Sequence, residues 1–226
     1  MFNEMTEKLL ERMEKLFVAA VSDVLDSMGF LNQTMHSGFK PLIPEAKVAG
    51  PAITLRVTKM TERSPPKDIE EVIDIFAPFF DSLRPDHVAV VDTNNCHEFS
   101  AYGELMSSIS ISKGVKGAVV DGAIRDISRV LRLRFPIWYK GNIPTDSIPR
   151  FEIVGVNRPI WCGGVRVKPG DIIFADADGV VVVPKELDLE KVVEKAERKV
   201  ELEEKTREEL LAGKPYREVL RKYKVL

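Results

Sequence analysis

The chain has little cysteine, no long apolar run and no excess of charge of one sign. Its 226 residues include two cysteines, Cys96 and Cys162, far apart and in no CxxC pair. That usage excludes a disulfide framework and predicts two small core residues. No stretch reaches the ~18 apolar residues of a membrane span. The start, MFNEMTEKLLERMEK, is charged throughout, unlike a secretory signal. A cytoplasmic protein with no membrane contact is expected. Lys plus Arg is 33 and Asp plus Glu is 35, for a net charge of −2. Such balance argues against a dedicated nucleic-acid binder. No internal repeat, low-complexity segment or long flexible linker is seen.

Several catalytic signatures are missing too. Ser110-Ile-Ser-Lys113 matches SxxK, but its partner motifs SDN and KTG are absent. His97-Glu98 lacks the second histidine of a zincin. There is no GxSxG and no Walker A loop. Asp176-Ala-Asp178-Gly179 has acidic spacing without the rest of a calcium loop, so a hairpin turn is predicted.

What is present is a core-forming α/β pattern. The length predicts one domain, or a domain plus appendages. The charged fraction of 30% exceeds the usual value of about 25% and suits a heat-adapted source. Residues 6–16 read as a helix with Leu9, Leu10, Met13, Leu16 and Phe17 on its buried stripe. A second helix runs from Val18 to Met28 and stops at Gly29; its Ser22 and Asp23 read as cap or surface groups. Ala46–Thr58 alternates as a strand. Asp68–Phe80 reads as a helix with Ile69, Val72, Ile73 and Phe76 on one face. Val88–Asp92 reads as a buried strand, and Thr93–Tyr102 as a loop.

VAVVD, helix, GAVVD, helix, PIWYKG then alternate, which gives βαβ units. Beyond Gly141, short strands separated by turns at Pro169-Gly170 and Asp178-Gly179 form a layer of hairpins against the βαβ half. Residues 1–185 are predicted as a single α/β domain. Residues 186–226 form a helical extension, with a long charged helix at Glu186–Lys214. Its thin apolar stripe suits a surface or a contact with a neighbouring subunit.

The chain is organised around Gly103–Asp126, GELMSSISISKGVKGAVVDGAIRD. A short helix opens at Gly103, with Leu105, Met106 and Ile109 as its apolar side and Gly114 as its C-cap. Gly117–Asp121 is a buried strand, and Gly122–Asp126 leaves it as a tight loop before a helix at Ile127. The strand delivers Arg125 and Asp126 at its carboxyl end, where open α/β sheets bind ligands. The helix start offers unpaired N–H groups and a positive dipole end, which suit an anion. A guanidinium forks onto a carboxylate, and a carboxylate suits a hard divalent cation that keeps several waters. Together these parts fit a small keto acid chelating Mg²⁺ or Mn²⁺. From the residues alone, Asp126 is equally an N-cap for the helix at Ile127. Arg125 is equally a surface arginine, and Glu104 a first-turn acid favoured by the helix dipole. Asp121 is open between a strand-end turn residue and a site residue.

GELM followed by GVKGAVVDGAIRD closely resembles a family of metal-dependent 4-hydroxy-4-methyl-2-oxoglutarate aldolases and oxaloacetate decarboxylases. That family also contains the RraA-type regulators of ribonuclease E. VSDVLDSMG, AGPAITLRV and PGDIIFADADGVVVVP carry the resemblance over most of the chain. It implies a compact α/β fold of the swivelling type, with helices flanking packed sheets. It implies trimers, sometimes stacked as hexamers, with the C-terminal helix reaching an adjacent subunit, and it places Ser22 and Asp23 near the site. Carried over residue by residue, Asp126 is the metal ligand. Arg125 binds the keto acid and stabilises an enolate oxygen. Gly103, Leu105 and Met106 supply backbone N–H groups. Glu104 orients water beside the cation, although many relatives have the shorter Asp there. Glu203 is an acid donated by a neighbouring subunit, or else part of a solvated helix face.

The function implied is a carbon–carbon lyase acting on 4-hydroxy-2-oxo acids or oxaloacetate through a pyruvate enolate. The alternative is a non-catalytic ring that binds and regulates a ribonuclease, a branch that typically lacks the acid matching Asp126. A Schiff-base aldolase using Lys113 or Lys116 is the third reading.

Overall fold

A computed structural model describes residues 4–62 and 65–224. The outer ends of the predicted domain ranges, residues 1–3 and 225–226, lie outside the described residues, as do 63–64. Two helices open the chain, α1 (Glu4–Met13) and α2 (Val18–Ser27). A two-residue strand, β1 (Lys40–Pro41), is followed by β2 (Val48–Lys59) and α3 (Ile69–Ser82). The central units are β3 (Val88–Tyr102), α4 (Glu104–Ser112), β4 (Gly117–Ile124), α5 (Ile127–Leu133) and β5 (Ile137–Asn142). Then come β6 (Phe151–Val156), β7 (Ile160–Cys162), β8 (Val165–Val167), β9 (Ile172–Asp176) and β10 (Gly179–Val183). Helices α6 (Leu189–Leu211) and α7 (Tyr216–Tyr223) complete it.

Strands β2, β3, β4 and β5 run parallel, as the βαβ pattern requires. The hairpins pack against the βαβ half, as expected, and are joined to it by hydrogen bonds. β2 pairs with β9 through Val48–Pro51 and with β6 through Leu55–Lys59, so one long strand serves both halves. Among the described residues, β7 and β8 form a separate two-stranded sheet. The Asp176–Gly179 turn joins β9 to β10, with the Asp178 N–H donating to Asp176 Oδ1 at 2.9 Å. It is a hairpin turn, as its residues indicate.

Period-two alternation sorts the core into layers. Ile53, Leu55, Ala89, Val91, Ala118, Val120 and Ile137 pack against Phe79 of α3 and Val130 of α5. The opposite face, with Val88, Val90, Val119 and Trp138, meets Ile173, Ala175, Val180 and Val182 and the β7–β8 hairpin. The outer face of β9–β10 is covered by α1, α2 and the first half of α6 through Val192, Val193 and Ala196. Fully burying a side chain such as Phe79 contributes about 1.5–3 kcal/mol. The result is packed sheet segments flanked by helices, as the resemblance implies. Among the described residues, no helix is long and apolar enough to cross a membrane.

Three local readings need correction. Thr93–Tyr102 is not a free loop. It stays in β3 and pairs with β4 through Cys96–Gly122, Ser100–Ala123 and Tyr102–Ile124, with register shifts between them. Asn94 and Asn95 absorb the shift at φ 54° and 56°, a region asparagine tolerates. Consequently Gly122–Ile124 are strand, not loop, and are buried. Helix α4 turns Ser107 and Ser110 inward, while Leu105 is 70% exposed. Ser110 Oγ lies 2.5 Å from the phenolic oxygen of Tyr102 and so satisfies it. In α3 the core residue is Phe79; Ile69 and Ile73 are exposed.

Candidate active site

β4 ends where its neighbours hold it: the Arg125 N–H donates to Tyr102 O at 2.9 Å. Asp126 then adopts a left-handed conformation, φ 59° and ψ 31°, a region where aspartate is enriched. This turn starts α5, whose Arg129 and Val130 N–H groups donate to Asp126 O at 2.8 and 3.0 Å. The Asp126 side chain makes no capping bond to α5, although it occupies the N-cap position. Its Oδ2 accepts instead from the Glu104 N–H, at 3.3 Å, at the start of α4. The carboxylate thus crosses from one helix start to the other.

Arg125 lies alongside. Its Nε is 3.4 Å from Asp126 Oδ2 and its Nη1 is 3.2 Å from Asp146 Oδ2. Glu104 Oε2 is 3.6 Å from Arg129 Nη1. The side chains of Arg125 and Asp126 remain 32% and 37% exposed, so they are open to a ligand. These residues border a cleft of about 840 Å³, also lined by Gly103, Leu105, Met106 and residues of α3. That volume is within the range of small-molecule sites. Tyr102 borders it too, but burial pushes its phenol up, and the group stays neutral as a hydrogen-bonded wall.

Gly103 is required by space rather than by backbone conformation, since its φ of −158° is open to any residue. A Cβ there would sit 2.8 Å from Asp126 Oδ2 and 3.1 Å from Arg125 Cγ. Gly103→Ala is therefore expected to push both side chains aside. Any activity that depends on these two side chains should fall about 100-fold, with the thermal midpoint nearly unchanged. Steady-state kinetics beside a melting curve checks this.

The structure brings together Gly103, Glu104, Leu105, Met106, Arg125 and Asp126. It does not bring Glu203 to them within one chain. Glu203 pairs with Lys199 at 3.1 Å, and Lys199 also pairs with Asp23 at 3.0 Å. Ser22 bonds Thr34 instead, and neither it nor Asp23 borders the cleft. Lys113 and Lys116 are also outside it, and Lys116 Nζ is tied to Glu14 at 2.9 Å. Asp146 is the residue that sequence reasoning missed. It lies in an irregular segment with no periodicity to mark it, and only the folded chain places it on Arg125.

Asp121 is neither a turn residue nor a wall of the cleft. It is buried on β4, with Oδ1 2.7 Å from Lys140 Nζ and Oδ2 accepting from the Gly163 N–H at 2.7 Å. It fastens the β7–β8 hairpin to the sheet. Removing one partner of such a buried pair costs about 3–5 kcal/mol. Cys162 beside it is buried and unbridged; burial pushes its thiol up, which leaves it inert. Cys96 is likewise free and half-buried against the core.

Among the described residues, no three His, Cys, Asp or Glu side chains converge as a closed metal cage. The acids at the cleft's polar corner are Asp126 and Asp146 on Arg125, and Glu104 on Arg129. That chemistry fits Mg²⁺ or Mn²⁺, which bind through one or two carboxylates and complete their shell with water and substrate oxygens.

A sequence profile of the RraA-like family, described as Aldolase/RraA, matches residues 18–182. The chain belongs to the aldolase/RraA family. The resemblance read from GELM and GAVVDGAIRD is thus borne out over most of its length. A protein of Halalkalibacterium halodurans, named "Putative 4-hydroxy-4-methyl-2-oxoglutarate aldolase", is 36% identical over 179 residues, 79% of this chain and 77% of that one. A crystal structure titled as a novel cellulase from gut-associated microbes superposes with TM-score 0.82 at 33% identity, covering 91% of this chain and 89% of that one. Streptomyces coelicolor RraAS2, described as an unusual member of the RNase ES inhibitor RraA family, superposes with TM-score 0.77 at 29% identity. It covers 88% of this chain and 96% of that one. Aldolase/RraA relatives thus carry both catalytic and inhibitory names.

Proposed function

We propose that this cleft is the active site of a divalent-metal-dependent carbon–carbon lyase acting on 4-hydroxy-2-oxo acids, oxaloacetate or both. The observation that carries the reading is the crossing of Asp126 to the start of α4 beside Arg125. Asp126 would hold Mg²⁺ or Mn²⁺, which supplies Lewis-acid polarisation of a 2-keto group when bound. Arg125 forks onto the substrate carboxylate and takes up negative charge that develops on the keto oxygen. The first-turn N–H groups of Leu105 and Met106, unpaired within the helix, face the same anion. Glu104, steadied by Arg129, orients water and passes a proton.

In aldol cleavage the C3–C4 bond breaks and the C4 hydroxyl gives up its proton to become a carbonyl. The bonding pair moves to C3 and the keto oxygen as an enolate. Protonation at C3 then yields pyruvate. Loss of CO₂ from oxaloacetate reaches the same enolate. In this reading the enzyme is a cytoplasmic homotrimer or hexamer, with Glu203 of α6 reaching a neighbouring subunit's cleft.

Pyruvate release from oxaloacetate and from a panel of short 4-hydroxy-2-oxo acids tests the proposal. Turnover with Mg²⁺ that a chelator abolishes is expected. Absence of turnover on every substrate would return the chain to the ribonuclease-regulator reading. Chelator-resistant turnover trapped by borohydride would favour a Schiff-base lysine.

A further inference from the structure

Residues 143–150, between β5 and β6, form neither helix nor strand, yet they are tied down along their length. The Ile143 N–H donates to Ile124 O at 3.0 Å. Thr145 O accepts from both the N–H and the hydroxyl of Ser100, at 3.0 and 2.9 Å. Arg150 Nη1 donates back to Asp146 O at 3.1 Å and to Ile148 O at 3.3 Å. Ile148 packs on the core below. Strands β3 and β4 therefore fix where this arm carries Asp146.

The two carboxylate oxygens of Asp146 face different ways. Oδ1 accepts from the Ile148 N–H at 3.4 Å and from the Ser147 hydroxyl at 3.3 Å, as an aspartate does when it shapes its own turn. Oδ2 lies 3.2 Å from Arg125 Nη1. The contact of Arg125 with Asp126, at 3.4 Å, is through Nε. One contact leaves a guanidinium plane free to turn, and a second at the other edge fixes it. Both separations exceed the about 2.7–2.9 Å of a closed charge-assisted bond. The guanidinium is thus aimed by two acids without being consumed by either. The side chains of Arg125 and Asp146 are 32% and 49% exposed, so their pairing adds little stability. Orientation is what it supplies.

Resting on the lyase reading above, in which Arg125 clamps the keto acid, we infer that Asp146 is a positioning residue for Arg125. It sets the plane of the guanidinium toward the substrate carboxylate and the enolate oxygen. It acts on the ligand only through Arg125.

The test is a double-mutant cycle of Asp146 with Arg125, read by calorimetric binding of oxalate and by kcat/KM, both with Mg²⁺. Asp146→Asn should weaken oxalate binding and lower kcat/KM, each about tenfold or more, with the thermal midpoint within about 3 °C of wild type. Asp146→Ser, whose hydroxyl still serves the turn, should behave alike, so a misfolded asparagine variant would not decide the matter. In an Arg125→Ala background the same substitutions should change oxalate binding by less than about twofold. A full further loss in that background is what a merely structural role would give, and it overturns the inference. Unchanged or tighter oxalate binding with Arg125 in place overturns it too. If the wild-type protein binds oxalate but cleaves no 2-oxo acid, the lyase reading falls, and the binding cycle alone still decides the role of Asp146.

Discussion

If the cleft is a metal-dependent lyase site as proposed, Asp126→Asn is expected to lose about 10³-fold in kcat, equivalent to ~4 kcal/mol of transition-state stabilisation. The substitution is chosen for its backbone. At φ 59° an alanine would be strained, whereas asparagine tolerates the left-handed region about as well as aspartate. It also keeps an oxygen able to accept from the Glu104 N–H, the 3.3 Å contact that ties the two helix starts. What it removes is the charge that would hold a hard cation under the proposed function. The thermal midpoint should stay within a few degrees of wild type, while binding of Mn²⁺ weakens in parallel with turnover. Full turnover in a folded variant would show that Asp126 is only a turn residue.

Arg125→Lys should reduce kcat/KM about 100-fold, through both a higher KM and a lower kcat. The guanidinium reaches two acids at once, with Nε toward Asp126 and Nη1 toward Asp146. A lysine ammonium is a point charge on a flexible stem and cannot reproduce that fork. It would settle on one acid and leave the substrate carboxylate without its planar partner. Arg125→Ala should go further, to about 10³-fold, because nothing then offsets the charge forming on the keto oxygen. Steady-state kinetics on the best substrate of the panel separates the two effects. A lysine variant with wild-type kcat/KM would mean that the arginine serves only its ion pairs.

The sequence made some of this site readable and hid the rest for identifiable reasons. Gly117–Ala–Val–Val is a short apolar run that ends in charge, so a buried strand delivering Arg125 and Asp126 could be seen directly. The start of α4 was marked by Gly103 and an acid in the first turn. Its inward face was not: Ser107 is buried with its hydroxyl donating to Gly103 O, and Ser110 because its hydroxyl meets Tyr102, local and tertiary partners that override polarity. The continuation of β3 through Thr93–Tyr102 carries too many polar residues to read as a strand. It survives as one because β4 pairs with it across register shifts.

Helix α3 was readable as a helix, but what covers its apolar face was not. Its apolar residues read only as sharing one face, and the structure leaves Ile69 and Ile73 exposed while Val72 and Phe76 border the cleft. Apolar periodicity reports that a face leaves water, not whether protein or ligand covers it. Asp146 gave no signal because its loop has no period and its partner, Arg125, is 21 positions away in sequence. The buried Asp121–Lys140 pair was equally silent, since a strand-end aspartate looks the same whether it turns a chain or anchors a hairpin.

The most direct measurement is anomalous diffraction from crystals grown with Mn²⁺ and oxalate, a stable dianion shaped like the pyruvate enolate. The account predicts one manganese peak against the Asp126 carboxylate, with oxalate bridging from the ion to Arg125 and the first turn of α4. Manganese bound away from Asp126, or oxalate seated where neither Arg125 nor Gly103 borders it, would contradict the account.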